Sequence, residues 1–292
     1  MKAIIGIDTQ KAYVPALDLF ARLEFEKPTV SLVHAAELRP PICLPDAHAE
    51  AEYAKVIQNV GLAALDAAAD AACARHIHAE TRMVFSRAAD GLNAKAGAEA
   101  VDLIAVGATH CGRWSSSYLN SATCALALNG DSSLLVTKGQ IPGKRHQGLK
   151  AVFAIDHSAH TDRVIDRFIK LAPSGIKSIM LLSAFEVDDD IKKVTGRNPA
   201  MLAGDVDRWL QEAFEKKSKA IAVRLEENGY AVSVTVVESS ANDAIRHAMQ
   251  STHADLLIMG SIGNATEGSG HVGSIAIHQI GYEPYPILMV RV

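Results

Sequence analysis

Basic charge is not in excess. Lys plus Arg number 29 against 33 Asp plus Glu, for a formal net charge of −4. The chain therefore has no general positive field of the kind that holds nucleic acid or an anionic membrane surface, and neither partner is expected. Cysteine is scarce. Cys43, Cys73, Cys111 and Cys124 all lie in the first half, widely spaced and without a Cys-x-x-Cys pair. That pattern argues against a disulfide framework and leaves the four as small hydrophobes in a reduced compartment. His110-Cys111 has no second ligand pair with which to build a metal site. No apolar run approaches the ~18 residues of a membrane span, and Met1–Asp8 is too short to serve as a secretory signal. A cytoplasmic protein without a membrane partner is the expectation.

What is present is an ordinary core-forming composition, 49% hydrophobic and 21% charged over 292 residues, enough for roughly two domains. Apolar β-type runs alternate with helical stretches. Ala3–Ile7, Thr29–Ala35, Glu80–Phe85, Val101–Gly107 and Ser133–Thr137 read as strands. Ala16–Phe25, Ala47–Arg75, Ala88–Ala100 and Ser121–Asn129 read as helices between them. The pattern then restarts. Ala151–Asp156 repeats Ala3–Asp8 in form, and Ala254–Gly260 repeats Val101–Gly107, so Asp8 answers to Asp156, Asp102 to Asp255 and Gly107 to Gly260. Further strands follow at Ser178–Ala184, Ala231–Val237, Asp255–Met259 and Pro286–Val290. Helices follow at Ile165–Leu171, Val206–Glu227 (stopped by Asn228-Gly229), Ala241–Gln250 and Ile275–Ile280. A repeat of about 150 residues is too long for a solenoid. It predicts two copies of one α/β unit, residues 1–138 and 150–292, linked by the Gly-, Pro- and charge-rich stretch Gly139–Gln147. Strictly alternating β and α elements predict two tandem doubly wound parallel sheets, each of five strands. Ligands of such sheets bind beyond the carboxyl ends of the strands, at the switch point.

Met259–Ser274 is the stretch that carries chemistry. Five glycines in sixteen residues exclude a helix or strand interior. An apolar strand, a glycine-rich loop and a helix start together suit a phosphate, because backbone N–H groups can approach the anion and the helix dipole favours it. The bland alternative is a flexible surface loop. Three phosphate patterns compete. Gly268–Gly273 fits G-x-G-x-x-G, but that fingerprint belongs at the first strand-to-helix turn, and only one strand is read after it. Gly268–Ser274 approaches a P-loop, but Ser274 stands where the lysine is required. Gly260-x-x-Gly263, nine residues, then Gly273-Ser274 is the third pattern.

This third pattern resembles the ATP-binding signature of the universal stress protein family. Ala154-Ile155-Asp156-His157-Ser158 and Leu182-Ser183-Ala184 resemble the ends of that family's first and second strands. The resemblance extends over both copies and implies a tandem universal stress protein with the adenine nucleotide α-hydrolase-like fold. It implies that Gly260, Ser261, Gly263, Gly273 and Ser274 hold the phosphates of ATP, accompanied by Mg²⁺ held mainly by the nucleotide and waters. It also implies that Asp156 meets the ribose or adenine side and that backbone groups of Ala184 read the adenine edge. Asp156 and Ser274 read equally as helix N-caps. The first copy departs from the pattern. In Gly107–Ser121, His110 and Asn120 replace glycines, and the insert carries Arg113, Trp114 and Tyr118, although Asp8 and Ala35 persist. The second copy is expected to bind ATP and the first to bind it weakly or not at all.

Binding is expected rather than turnover, since Asp156 and Glu267 are the only carboxylates near the loop and neither is a convincing general base. Two alternatives remain: adenylate chemistry or slow ATP hydrolysis, and a scaffold that binds no nucleotide. The last strands of the two copies are expected to pair edge to edge, making an intramolecular pseudo-dimer, and a further homodimer is conceivable.

Overall fold

The computed structural model describes residues 1–38, 43–108, 122–139, 148–187, 203–263 and 272–292, with the side chains of 203–207 excepted. The strands are β1 (Lys2–Ile7), β2 (Thr29–Ala35), β3 (Ala79–Val84), β4 (Leu103–Ala108), β5 (Ser133–Lys138), β6 (Leu149–Ile155), β7 (Ile176–Phe185), β8 (Ala231–Glu238), β9 (Leu256–Gly260) and β10 (Ile287–Val290). The helices are α1 (Tyr13–Leu23), α2 (Ala47–Cys73), α3 (Ala88–Glu99), α4 (Ala122–Asn129), α5 (Ala159–Leu171), α6 (Ala203–Glu226), α7 (Ala241–Thr252) and α8 (Ser274–Tyr282).

Each half is the expected doubly wound five-stranded parallel unit, and the two join into one sheet of order β3-β2-β1-β4-β5-β10-β9-β6-β7-β8. Only the central pair, β5 with β10, is antiparallel, in the register Val136↔Ile287, Leu135↔Leu288 and Leu134↔Met289. The edges expected to meet do meet, and the seam uses the strand edge through which a single unit would otherwise pair with another chain. Successive strand residues face opposite sides of the sheet, so both faces are apolar. Ala3, Ile5, Ala151, Phe153, Leu256 and Ile258 join the core on one side. Ile4, Val152, Leu257 and Met259 join the core on the other. Each core crosses the seam.

Local signals explain the helix limits. Asp46 accepts the Ala49 N–H (2.8 Å) at the start of α2, and Ser240 accepts the Asp243 N–H (3.2 Å) at the start of α7. Gly229, at φ 89°, follows α6 as expected. Two helices begin earlier than the apolar periodicity suggests. Helix α1 starts at Tyr13 and α5 at Ala159, because their first turns are fixed by an aspartate rather than by an apolar stripe.

Charged contacts across the seam come in reciprocal pairs. Arg22 of the first half lies 3.6 Å from Asp255, and Arg167 of the second lies 2.8 Å from Asp102. The same aspartates accept backbone N–H groups from Lys150 (2.9 Å) and Lys2 (2.8 Å). No described helix is long and apolar enough to cross a membrane.

Candidate functional site

Strand β6 pairs with β7 on one side and β9 on the other. The connection after β6 runs to β7 and the one after β9 runs the other way to β10, so a crevice opens at the carboxyl ends of β6 and β9. A cavity of about 210 Å³ lies there. Asp156, His160 and Thr161 form one wall, with Ala241 and Ile245 of α7 opposite. Met259–Gly263 form the floor, and Gly273–Ala276 at the start of α8 close the remaining side. Six of the seven sequence-predicted residues line this one cavity: Asp156, Gly260, Ser261, Gly263, Gly273 and Ser274. Ala184 is not among them. It sits at the end of β7, one strand further out, paired with Val237. Gly268, Gly270, Glu267 and His271 fall outside the described residues, as do His110, Arg113, Trp114, Tyr118, Asn120 and Ser121 of the first copy.

The glycines keep the cavity open. A Cβ on Gly263 would stand 3.0 Å from Asp156 Oδ2, in the space between loop and carboxylate. A Cβ on Gly260 would come within 3.1 Å of a Val164 methyl and 3.8 Å of the His160 ring. The Gly273 N–H donates to the Ser261 carbonyl (2.8 Å), pinning the neck of the loop. That amide is therefore engaged, and the donors facing the cavity are the next ones. Helix α8 has no side-chain cap, and the N–H groups of Ser274, Ile275 and Ala276 have no carbonyl within the helix to bond. The remaining walls are mainly apolar, with Val164, Ile245, Met259 and Ile275. No lysine or arginine occurs among the described lining residues. The arrangement suits a ligand with one apolar face and one anionic end, its charge met by helix amides rather than by a cationic side chain.

The corresponding aspartates are used differently. Asp8 accepts three backbone N–H groups, from Gln10 (2.6 Å), Ala12 (3.1 Å) and Tyr13 (3.0 Å), and so fixes the turn that leads into α1. Asp156 accepts the Ser158 N–H (3.1 Å) and the Thr161 hydroxyl (2.8 Å), both through Oδ1, while Oδ2 faces Gly263. In the first half the start of α1 lies on the end of β4, where a Cβ on Gly107 would be 1.7 Å from the Ala12 carbonyl oxygen. In the second half the equivalent space borders the cavity.

His157 was not singled out from sequence. It takes a left-handed φ of 57°, which points its ring away from the strand. The ring stacks on Phe214 (centroids 5.2 Å apart, planes 5° apart) and its Nε2 lies 3.2 Å from the Ser218 hydroxyl. Burial, helped by Lys217, lowers its pKa from the ordinary histidine value, while Asp156 and Asp162 oppose the shift. Nothing in the local sequence marks it, because Phe214 and Ser218 come from α6, far along the chain.

A doubly wound α/β sheet with a cavity at its switch point and an uncapped helix N-terminus on the rim defines a class of anion- and nucleotide-type binding folds. Residues 149–291 match the model of the universal stress protein family. This second half of the chain is a domain of that family. Solved structures share the fold of the whole chain. A universal stress protein from Archaeoglobus fulgidus DSM 4304 is 14% identical, at a TM-score of 0.65, with 99% of this chain and 98% of that one covered. A putative universal stress protein from Pseudomonas aeruginosa UCBPP-PA14 is 14% identical, at a TM-score of 0.61, covering 99% of this chain and 92% of that one. A family protein from Arabidopsis thaliana, solved with AMP bound, matches 42% of this chain and 87% of its own at 14% identity and a TM-score of 0.29. No curated protein matches the sequence as a relative.

Proposed function

We propose that the second half, residues 150–292, is a unit that binds an adenine nucleotide, ATP with Mg²⁺, and that the protein acts as a nucleotide-dependent regulator in stress response. The observation that carries this reading is the convergence of Asp156, Gly260, Gly263 and Ser274 on one cavity beside the uncapped start of α8. The apolar walls accommodate a base, and the helix amides meet phosphate oxygens. With Asp156 on the wall and no lysine or arginine among the described lining residues, the charge of a triphosphate has to be offset by a cation. Mg²⁺ coordinated by phosphate oxygens and water fits that donor set. The first half, residues 1–138, is a partner unit that holds the second without binding nucleotide itself; the close approach of Ala12 to Gly107 supports this role.

The test is calorimetric titration of purified protein with AMP, ATP and ATP plus Mg²⁺. ATP should bind much more tightly with Mg²⁺ than without it, and AMP should show little metal dependence. Gly263→Arg should abolish binding, since any side chain there grows toward Asp156. Unchanged affinity in that variant would refute the site. Multiple-turnover release of AMP from ATP would instead make the protein an enzyme.

A further inference from the structure

Gln279 joins three parts of the molecule. It is fully buried. Its side-chain Nε2 donates to Asn242 Oδ1 (2.9 Å), and its Oε1 accepts the Tyr285 hydroxyl (2.6 Å). Asn242 adjoins Ala241, which lines the cavity from α7, and Gln279 lies one turn beyond the cavity-facing start of α8. The backbone carbonyl of Gln279 accepts a bond from the first half of the chain. Lys138 Nζ, at the end of β5, donates to that carbonyl (3.1 Å) and to the Glu283 carbonyl (2.5 Å). The Gln279 carbonyl also accepts the Glu283 N–H (3.3 Å), so the ammonium adds a second bond to it and meets the Glu283 carbonyl just beyond the helix, where a cation favours the helix dipole. Burial lowers the pKa of Lys138 to about 8, with the Glu283 carboxylate opposing the shift. The Glu283 side chain is held in turn by Arg246 of α7 (2.8 Å). The second half returns the contact: Arg291, beyond β10, donates to the Ala127 carbonyl near the end of α4.

We propose that Lys138, a residue of the first half, is a positioning residue for the cavity of the second: by gripping the carboxyl end of α8 it fixes the opposite end, whose amides and first-turn residues form the cavity wall. Helix α8 has 9 residues. A helix this short is marginal on its own and depends on tertiary contacts, so losing the grip at one end loosens the whole element, its first turn included. Gln279 extends the same constraint to α7. Each half thus anchors the helix that follows the strand-4-type loop of its neighbour, and in the second half that helix borders the cavity.

The test compares Lys138→Met, Lys138→Arg and Arg291→Met in the full chain by amide hydrogen exchange, together with AMP and ATP–Mg²⁺ titration. Lys138→Met should speed exchange in residues 277–282 by about tenfold or more and weaken nucleotide binding about fivefold. Lys138→Arg keeps a cationic donor and should restore most of both. Arg291→Met releases α4, which only packs beside α8, so it should change α8 exchange and nucleotide affinity much less than Lys138→Met does. Equal effects from Lys138→Met and Arg291→Met would mean that seam stability alone is at work, and no change in Lys138→Met would remove the positioning role; either overturns the proposal. The affinity expectation rests on the nucleotide reading above, whereas the exchange of α8 does not. Should wild type bind no nucleotide, that reading falls and exchange alone decides the role of Lys138. If Lys138→Met does not fold, Lys138→Gln, which keeps an N–H donor without the charge, replaces it with the same expected direction.

Discussion

Gly107 and Gly260 occupy the same place in the repeat, and they should respond unequally to one added methyl. In Gly107→Ala the new Cβ would be 1.7 Å from the carbonyl oxygen of Ala12 and 2.3 Å from its carbon. A carbon–oxygen contact needs roughly 3.3 Å, so one backbone segment must move by about 1.5 Å. Both segments are held: β4 pairs with β1 and β5, and Ala12 bonds to Asp8. Overpacking that cannot be relieved by rotating a side chain costs about 3 kcal/mol, a Tm shift of roughly 6 °C or more in a chain of this size. In Gly260→Ala the nearest atom is a Val164 methyl at 3.1 Å, which yields by a few tenths of an ångström. The expected cost is under about 1 kcal/mol. Thermal and urea unfolding followed by circular dichroism measure both. If Gly107→Ala costs less than about 1 kcal/mol, or Gly260→Ala costs as much as Gly107→Ala, the packing difference between the halves described here is wrong.

Two pH effects should follow from buried bases. The folded-state pKa of His157 is depressed, so between that value and its ordinary 6.5 the unfolded chain binds the extra proton; stability is fully present above about 6.5 and falls as the solution is acidified. His157→Gln should flatten that slope in urea midpoints measured from pH 7.5 to 5, and an unchanged slope would exclude His157 as its source. Lys138, at about 8 against 10.5 when free, gives the same sign in a higher window: stability should rise from pH 8 toward 9.5, before tyrosines titrate, by up to about 2 kcal/mol. Lys138→Met should lose this rise, and the same rise in the variant would place its origin elsewhere.

Much of the fold could be read because both faces of the sheet are buried. Ala3–Ile7 and Ala151–Ile155 must be apolar throughout, and runs of that kind are visible without an alignment. The seam was also legible, since β5 and β10 are apolar strands at equivalent ends of two copies. The start of α5 was not. Its first turn carries His160, Thr161, Asp162 and Arg163, and what organises it is the bond from Thr161 to Asp156, a tertiary decision. Ala184 was placed at the site by resemblance alone, and its strand lies beside the cavity rather than on its wall. Lys138 and Arg291 look like ordinary charges at strand ends. Their partners are main-chain carbonyls of helices in the opposite half, and carbonyls leave no mark in a sequence.

The two aspartates show how one motif serves two purposes. An aspartate after a first strand can start the next helix by accepting its free N–H groups, and Asp8 does so with both oxygens. Helix α1 can then press down on β4, and Gly107 is required by the backbone of Ala12. At Asp156 the Thr161 hydroxyl bonds Oδ1, and Oδ2 lies close to Gly263, where a Cβ would stand 3.0 Å from it. The glycine at position 260 then borders a cavity instead of a neighbouring main chain. Thus Gly107 is required by a neighbouring main chain, while Asp156 and Gly260 line the cavity. Equivalent positions of one repeat therefore meet different surroundings: Gly107 abuts the main chain of Ala12, whereas Gly260 borders the cavity between β6 and β9.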